Sequence, residues 1–169
     1  MEEQGSIGYK GKIFESLKKA IDGEHSVSSC FKHISGLTKN GSIRSKFIDL
    51  ARGSQRNKEA LLKHLYSLGE TDFVLEDKCH YCKLTPESFS LPGALSLGLE
   101  ITGICADLYD GLSKLHSGSE DKDLFRRLLK EKNNQRRFLK KEKGFVEAKS
   151  DSNFIMDFCI PHVVGRLLK

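Results

Sequence analysis

Three glutamates stand where apolar side chains are expected. Glu24 lies between Ile21 and Ser28, Glu100 between Leu97 and Ile104, and Glu131 between Leu128 and Phe138. Each sits on a run of residues spaced three and four apart, the period of a helix with one buried face. A fourth run, from Leu50 to Leu61, is interrupted by Ser54 and Asn57, and Asn134 follows Glu131 at one helical turn. A carboxylate in an apolar core is costly unless it is protonated, paired or bound to a metal. Two chemistries are therefore open. The glutamates can hold metal ions. Alternatively they can pair with Lys or Arg and hydrogen-bond to Ser54, Asn57 and Asn134, a polar layer that fixes helix register. His25 points off its run beside Glu24, and His33 and His64 lie about a quarter-turn from theirs, so none is an obvious ligand.

A second group with chemistry is Cys79 and Cys82 in the stretch KCHYCK. One Cys-x-x-Cys is half of a four-cysteine zinc site. Completing it would need His80, another residue such as His64, or a second chain. Free thiols or a local disulfide are the other reading; redox catalysis of the thioredoxin kind would want a strand–helix context that the pattern lacks. Cys30 and Cys105 lean inward and read as small core residues.

The elements that must position these residues are helices. The first is expected over about 13–33, with Phe14, Leu17, Ile21, Ser28 and Phe31 inward and Ile13, Ala20, Val27 and Ile34 flanking. LTKNGS is a loop with Ser42 as N-cap. The second helix is expected over about 43–68 on Ile43, Phe47, Leu50, Leu61, Leu65 and Leu68, stopped by Gly69. The next twenty or so residues lack helical period. A third helix begins near Ser90–Pro92 and runs to Leu115 with Leu97, Ile101, Ile104, Leu108 and Leu112 inward. A fourth is expected over about 122–143, with Leu124, Leu128, Phe138 and Leu139 inward. After SDSN, residues Phe154, Ile155, Phe158, Cys159, Val163, Leu167 and Leu168 predict a short fifth helix, bent or broken at Pro161. Short turns within the pairs and a long link between them describe a crossover bundle. Thirty residues separate Glu24 from Ser54 and thirty-one separate Glu100 from Glu131, so the pairs look like two copies of one hairpin.

With this layout the chain resembles the rubrerythrin-like branch of the ferritin-like superfamily. AIDGEHSVSSCF is similar to the family's first helix, with Glu24 at the ligand position. FIDLARGSQRNKEALL resembles its second, Glu100 matches its third-helix ligand, and FRRLLKEKNNQRRFL resembles the Glu-x-x-His segment of its fourth. The resemblance covers about residues 13–139 and implies a di-iron fold that commonly self-associates. The departures are Ser54 and Asn57 in place of Glu and His, and Asn134 in place of His. Iron in such sites wants carboxylate together with imidazole, so Glu24, Glu100 and Glu131 form at most a partial metal site. The polar layer is the preferred reading.

The reading taken forward is an all-α, ferritin-like crossover four-helix bundle over 1–145 with an additional C-terminal helix over 146–169. It is read as a non-catalytic binding or structural module with a degenerate metal site. No cofactor is expected, and zinc at Cys79 and Cys82 is open. The alternative is an iron- or manganese-dependent oxidoreductase reacting with oxygen or peroxide at Glu24, Glu100 and Glu131. A homodimer is implied by the resemblance.

Composition fits this. Apolar residues are 38% and charged residues 30%, with three prolines to interrupt helices. No apolar run approaches the roughly 20 residues of a membrane span, and MEEQGSIGYKGK has no signal-peptide core, so a cytoplasmic protein is expected. The net charge is +5. Arg126, Arg127, Lys130, Lys132, Arg136, Arg137, Lys140, Lys141 and Lys143 crowd the fourth helix, but Glu131 and Glu142 interrupt them and aromatics are sparse. A solvated face is expected there, not a nucleic-acid site. No phosphate loop or dinucleotide fingerprint occurs.

Overall fold

The computed structural model describes residues 3–75, 84–115 and 119–164, with side-chain surroundings over 11–75, 84–115 and 121–149. The described residues contain four helices: α1 Glu3–Leu37, α2 Gly41–Ser67, α3 Leu91–Leu115 and α4 Ser119–Val164. The termini follow local chemistry. Asn40, not Ser42, caps α2, its Oδ1 accepting from the Ile43 amide at 3.0 Å. Gly69 ends α2 with a φ of 95°, which a side chain would disfavour. Ser90 opens α3, its Oγ accepting from Gly93 N at 3.2 Å, and Pro92 sits in the first turn where no amide is needed.

Cross-helix contacts give the directions. Ser28 donates to the Ala51 carbonyl and Asn57 to Glu24, so α1 and α2 run antiparallel. Tyr109 stacks with Phe125, while Gly98 abuts Leu139, so α3 and α4 do too. Glu24 meets Tyr109 and Phe31 meets Gly98, which sets α3 antiparallel to α1 and hence parallel to α2. A parallel pair needs a link as long as the bundle. Among the described residues that link bonds α1 near both ends: Lys18 bonds Glu70 at 3.0 Å, and His33 Nε2 lies 2.6 Å from the Leu84 carbonyl. Lys18 and His33 are about 22 Å apart along α1. The architecture is the crossover four-helix bundle expected from the spacing of the elements.

The core holds the expected faces of α1 and α2, from Leu17, Ile21, Phe31 and Ile34 to Phe47, Leu61 and Leu65. Leu68 is outside it, 41% exposed. Two further expectations are corrected. The face of α3 is only partly the expected one: Ile101 and Leu112 are buried and Leu97 and Leu108 pack half-buried against the core, but Ile104 is 46% exposed, while Ala94, Leu95, Gly98, Thr102, Cys105, Ala106 and Tyr109 are buried. α3 is apolar on most sides, and its most apolar window has a mean hydropathy of 1.3, enough by length and composition to cross a membrane. Hydrophobicity alone therefore cannot phase it. Gly98 faces inward where α3 approaches α1 and α4 most closely, with Phe31 and Leu139 against it. The segment expected as a separate fifth helix, bent or broken at Pro161, is instead helical through Val164 and continuous with α4; SDSN contains neither Gly nor Pro.

Candidate functional site

Each helix sends a polar side chain to one point in the core. On α1, Glu24 follows Ile21 and precedes Ser28 on the buried face and is fully enclosed. Ser54 and Asn57, at one turn's spacing on α2, are buried beside it. α3 contributes Tyr109, and α4 contributes Lys132 and Gln135.

The contacts close completely around one ion pair. Lys132 Nζ donates to Glu24 Oε2 at 2.6 Å, to Ser54 Oγ at 3.0 Å and to Gln135 Oε1 at 3.3 Å. An ammonium has three hydrogens, and each has an acceptor. Glu24 Oε1 accepts from the Tyr109 hydroxyl at 2.7 Å and from Asn57 Nδ2 at 3.3 Å. Both partners of the ion pair are 0% exposed. Attraction across such a pair is set against the large cost of dehydrating both groups, which the additional hydrogen bonds offset.

Neighbouring groups respond to this environment. Burial raises the Tyr109 hydroxyl well above its ordinary range, and the Glu24 charge adds to it. Tyr109 therefore stays a donor. Burial also pushes the Cys105 thiol up to about 12, with the nearby Lys132 acting against the rise and Glu24 with it. Such a thiol is not a nucleophile.

The expected site residues divide. Glu24, Ser54 and Asn57 are where the sequence placed them. Glu100 is exposed on the outer side of α3 and does not reach the centre. Asn134 is exposed and accepts from Arg137. Glu131 is half-buried on the α2 side, where Gln135 Nε2 donates to it at 3.4 Å. Desolvation raises its carboxyl, with Lys132 lowering it. Glu131 flanks a cleft of about 330 Å³ between α2 and α4, shared with Lys46, Leu50, Arg56 and Phe138. Among the described residues no group of three or more His, Cys, Asp or Glu is gathered as a metal site. Cys79 and Cys82 lie outside the described residues. His64 Nε2 is 2.7 Å from Asp121, joining the end of α2 to the start of α4.

Lys132, Gln135 and Tyr109 were missed. The signal for α4 was present: Phe125, Leu128, Lys132, Gln135 and Leu139 follow one another at spacings of three and four, and all five are buried. Glu131 and Asn134 lie one residue, about 100°, off that line. Lysine is almost never enclosed unless paired, which steers a reader away from the correct phase.

No protein-family model and no curated protein matches the chain. Solved structures do. A conserved hypothetical protein from Mycobacterium tuberculosis matches with a TM-score of 0.68 at 14% identity, covering 77% of this chain and 89% of that one. A hypothetical protein from Pyrococcus furiosus matches with a TM-score of 0.69 at 19% identity, covering 80% and 90%. At these identities the likeness is one of fold.

Proposed function

We propose that the chain is a ferritin-like, rubrerythrin-related bundle in which an internal lysine has taken over the role of the metal, leaving a metal-independent binding or structural module. The observation that carries this is the Lys132 ammonium, 2.6 Å from Glu24 and enclosed by all four helices. A cation at the centre of a four-helix core neutralises the carboxylate that a metal would otherwise neutralise. The donor set fits a metal poorly: one carboxylate, two amides, a serine and a tyrosine whose proton burial retains, with no imidazole. The oxidoreductase alternative needs Glu24, Glu100 and Glu131 together, and Glu100 points to solvent.

Metal analysis of protein purified without oxygen tests this reading. The expected result is iron and manganese far below one per chain, unchanged by Glu24→Ala. Near-stoichiometric metal that Glu24→Ala removes would overturn it. The same proposal includes a homodimer, checked by light scattering; zinc at Cys79 and Cys82 is a separate reading, checked by its loss in Cys79→Ser.

A further inference from the structure

Glu131 and Glu142 interrupt the cations of α4 along the chain, which is the reason to expect an ordinary solvated face there. Folding removes both glutamates from that face. Glu131 turns to the α2 side against Gln135 and Gly53, and Glu142 binds Lys46 of α2 at 2.7 Å. Two of the nine cations leave as well, Lys132 into the core and Lys143 toward Glu147 at 3.6 Å. Seven remain: Arg126, Arg127, Lys130, Arg136, Arg137, Lys140 and Lys141, all exposed. Among the described residues none of the seven is in an ion pair. Asp123 bounds the face at one end and Glu147 at the other, and no acidic side chain lies on it between them.

We infer that this face of α4 binds the phosphate backbone of duplex nucleic acid, without regard to base sequence. From Arg126 to Lys141 it is about 22 Å long, the rise of fifteen helical residues, which matches about six base pairs at 3.4 Å per step. Beside it, Leu99, Asn133, Arg136, Arg137 and Lys140 line a groove of about 390 Å³ between α3 and α4. The Arg136 guanidinium lies over Gly103 of α3. Three cations and an amide around a shallow groove are suited to a phosphate group. Glu100 and Asp107 are exposed on α3 nearby but do not line the groove.

The composition of the face chooses among polyanions. Between Arg126 and Lys141 it carries no aromatic on which an unpaired base could stack, which disfavours single strands. Phe138 faces the α2 cleft, and Phe145, 55% exposed, sits beneath Lys141 one turn past the last cation. One phenylalanine at the end of the face is a small apolar anchor, which disfavours insertion among lipids.

The test is binding of the full chain to a DNA duplex of about 20 base pairs over a salt series. Five to seven phosphate contacts correspond to a slope of about −4.5 to −6 in log K against log salt, so fourfold more salt weakens binding roughly 500-fold or more. The variant Arg126→Gln/Lys130→Gln/Arg137→Gln should flatten the slope by about 2.7, about 0.9 per contact. A control with the same loss of charge elsewhere, Lys39→Gln/Arg44→Gln/Lys63→Gln, should leave the slope unchanged. Circular dichroism checks that both variants fold. Absence of duplex binding at low salt overturns the inference, as does equal weakening by the two variants. Binding to anionic phosphatidylserine vesicles without binding to the duplex also overturns it.

Discussion

Lys132 and Glu24 are worth more as a pair than either is alone. Removing the ammonium strands a carboxylate in the core, and removing the carboxylate strands an ammonium. Either loss costs about 3–5 kcal/mol, whereas removing both charges together can be close to neutral. Lys132→Met should therefore lower unfolding stability by that amount, and Glu24→Gln/Lys132→Met should recover most of it. In the double variant the new amide still accepts from Tyr109 and can donate to Ser54. Denaturant titration of the two single variants and the double variant gives the coupling. Additive losses would mean that the ion pair is not the unit that holds the core. The partners of Glu24 were only partly legible in sequence. Ser54 and Asn57 interrupt an apolar run, which is visible. Tyr109 looks like ordinary core, and Lys132 looks like surface until the phase of α4 is known.

At the scale of the element, phase was the hard part. α1 and α2 each have one apolar face, and the period of their residues identifies it correctly. α3 has apolar residues on most sides, so a reading that follows Leu97, Ile101, Ile104, Leu108 and Leu112 is self-consistent, yet it takes in the exposed Ile104 and passes over the buried Leu95, Gly98 and Tyr109. The physical determinant is closeness of approach, which hydropathy does not encode. Gly98 shows it: a Cβ there would lie 3.1 Å from Phe31 Cε1 of α1 and 3.3 Å from Leu139 Cδ1 of α4. Gly98→Ala sets overpacking of about 1–3 kcal/mol against alanine's helix preference of about 1 kcal/mol, a net destabilisation of up to about 2 kcal/mol. Gly111, on the same helix, has nothing within 4 Å of its Cβ position. Gly111→Ala should then stabilise by about 0.5–1 kcal/mol. The two melting temperatures should move in opposite directions. A shift of the same sign in both would mean that backbone preference, not interhelical spacing, governs α3.

At the scale of the whole molecule, the crossover arrangement was legible because connection lengths constrain direction: short turns pair α1 with α2 and α3 with α4, and the long link makes α2 and α3 parallel. What direction cannot supply is which charges the bundle encloses, and that enclosure sets how the whole molecule responds to pH. Cys105 and Tyr109 both hold their protons more tightly when folded, through burial first. For such groups the stabilisation is fully present below the unfolded value. It is lost as pH rises from there toward the folded value, because the unfolded chain then binds fewer protons than the native one. For Cys105 that window runs from 9.0 to about 12, and for Tyr109 it opens at 10.0 and extends upward. Each group contributes at most about 1.4 kcal/mol per pH unit within its window. Stability measured by denaturant should hold at neutral pH and fall increasingly steeply through the alkaline range. Cys105→Ala should flatten the first part of the fall. Tyr109→Phe removes the hydroxyl that donates to Glu24, so it should cost about 1–3 kcal/mol at neutral pH. Its deficit relative to the parent chain should then shrink above pH 10.0. If that deficit stays constant across the alkaline range, Tyr109 is not the enclosed donor to Glu24 that ties α3 into the core.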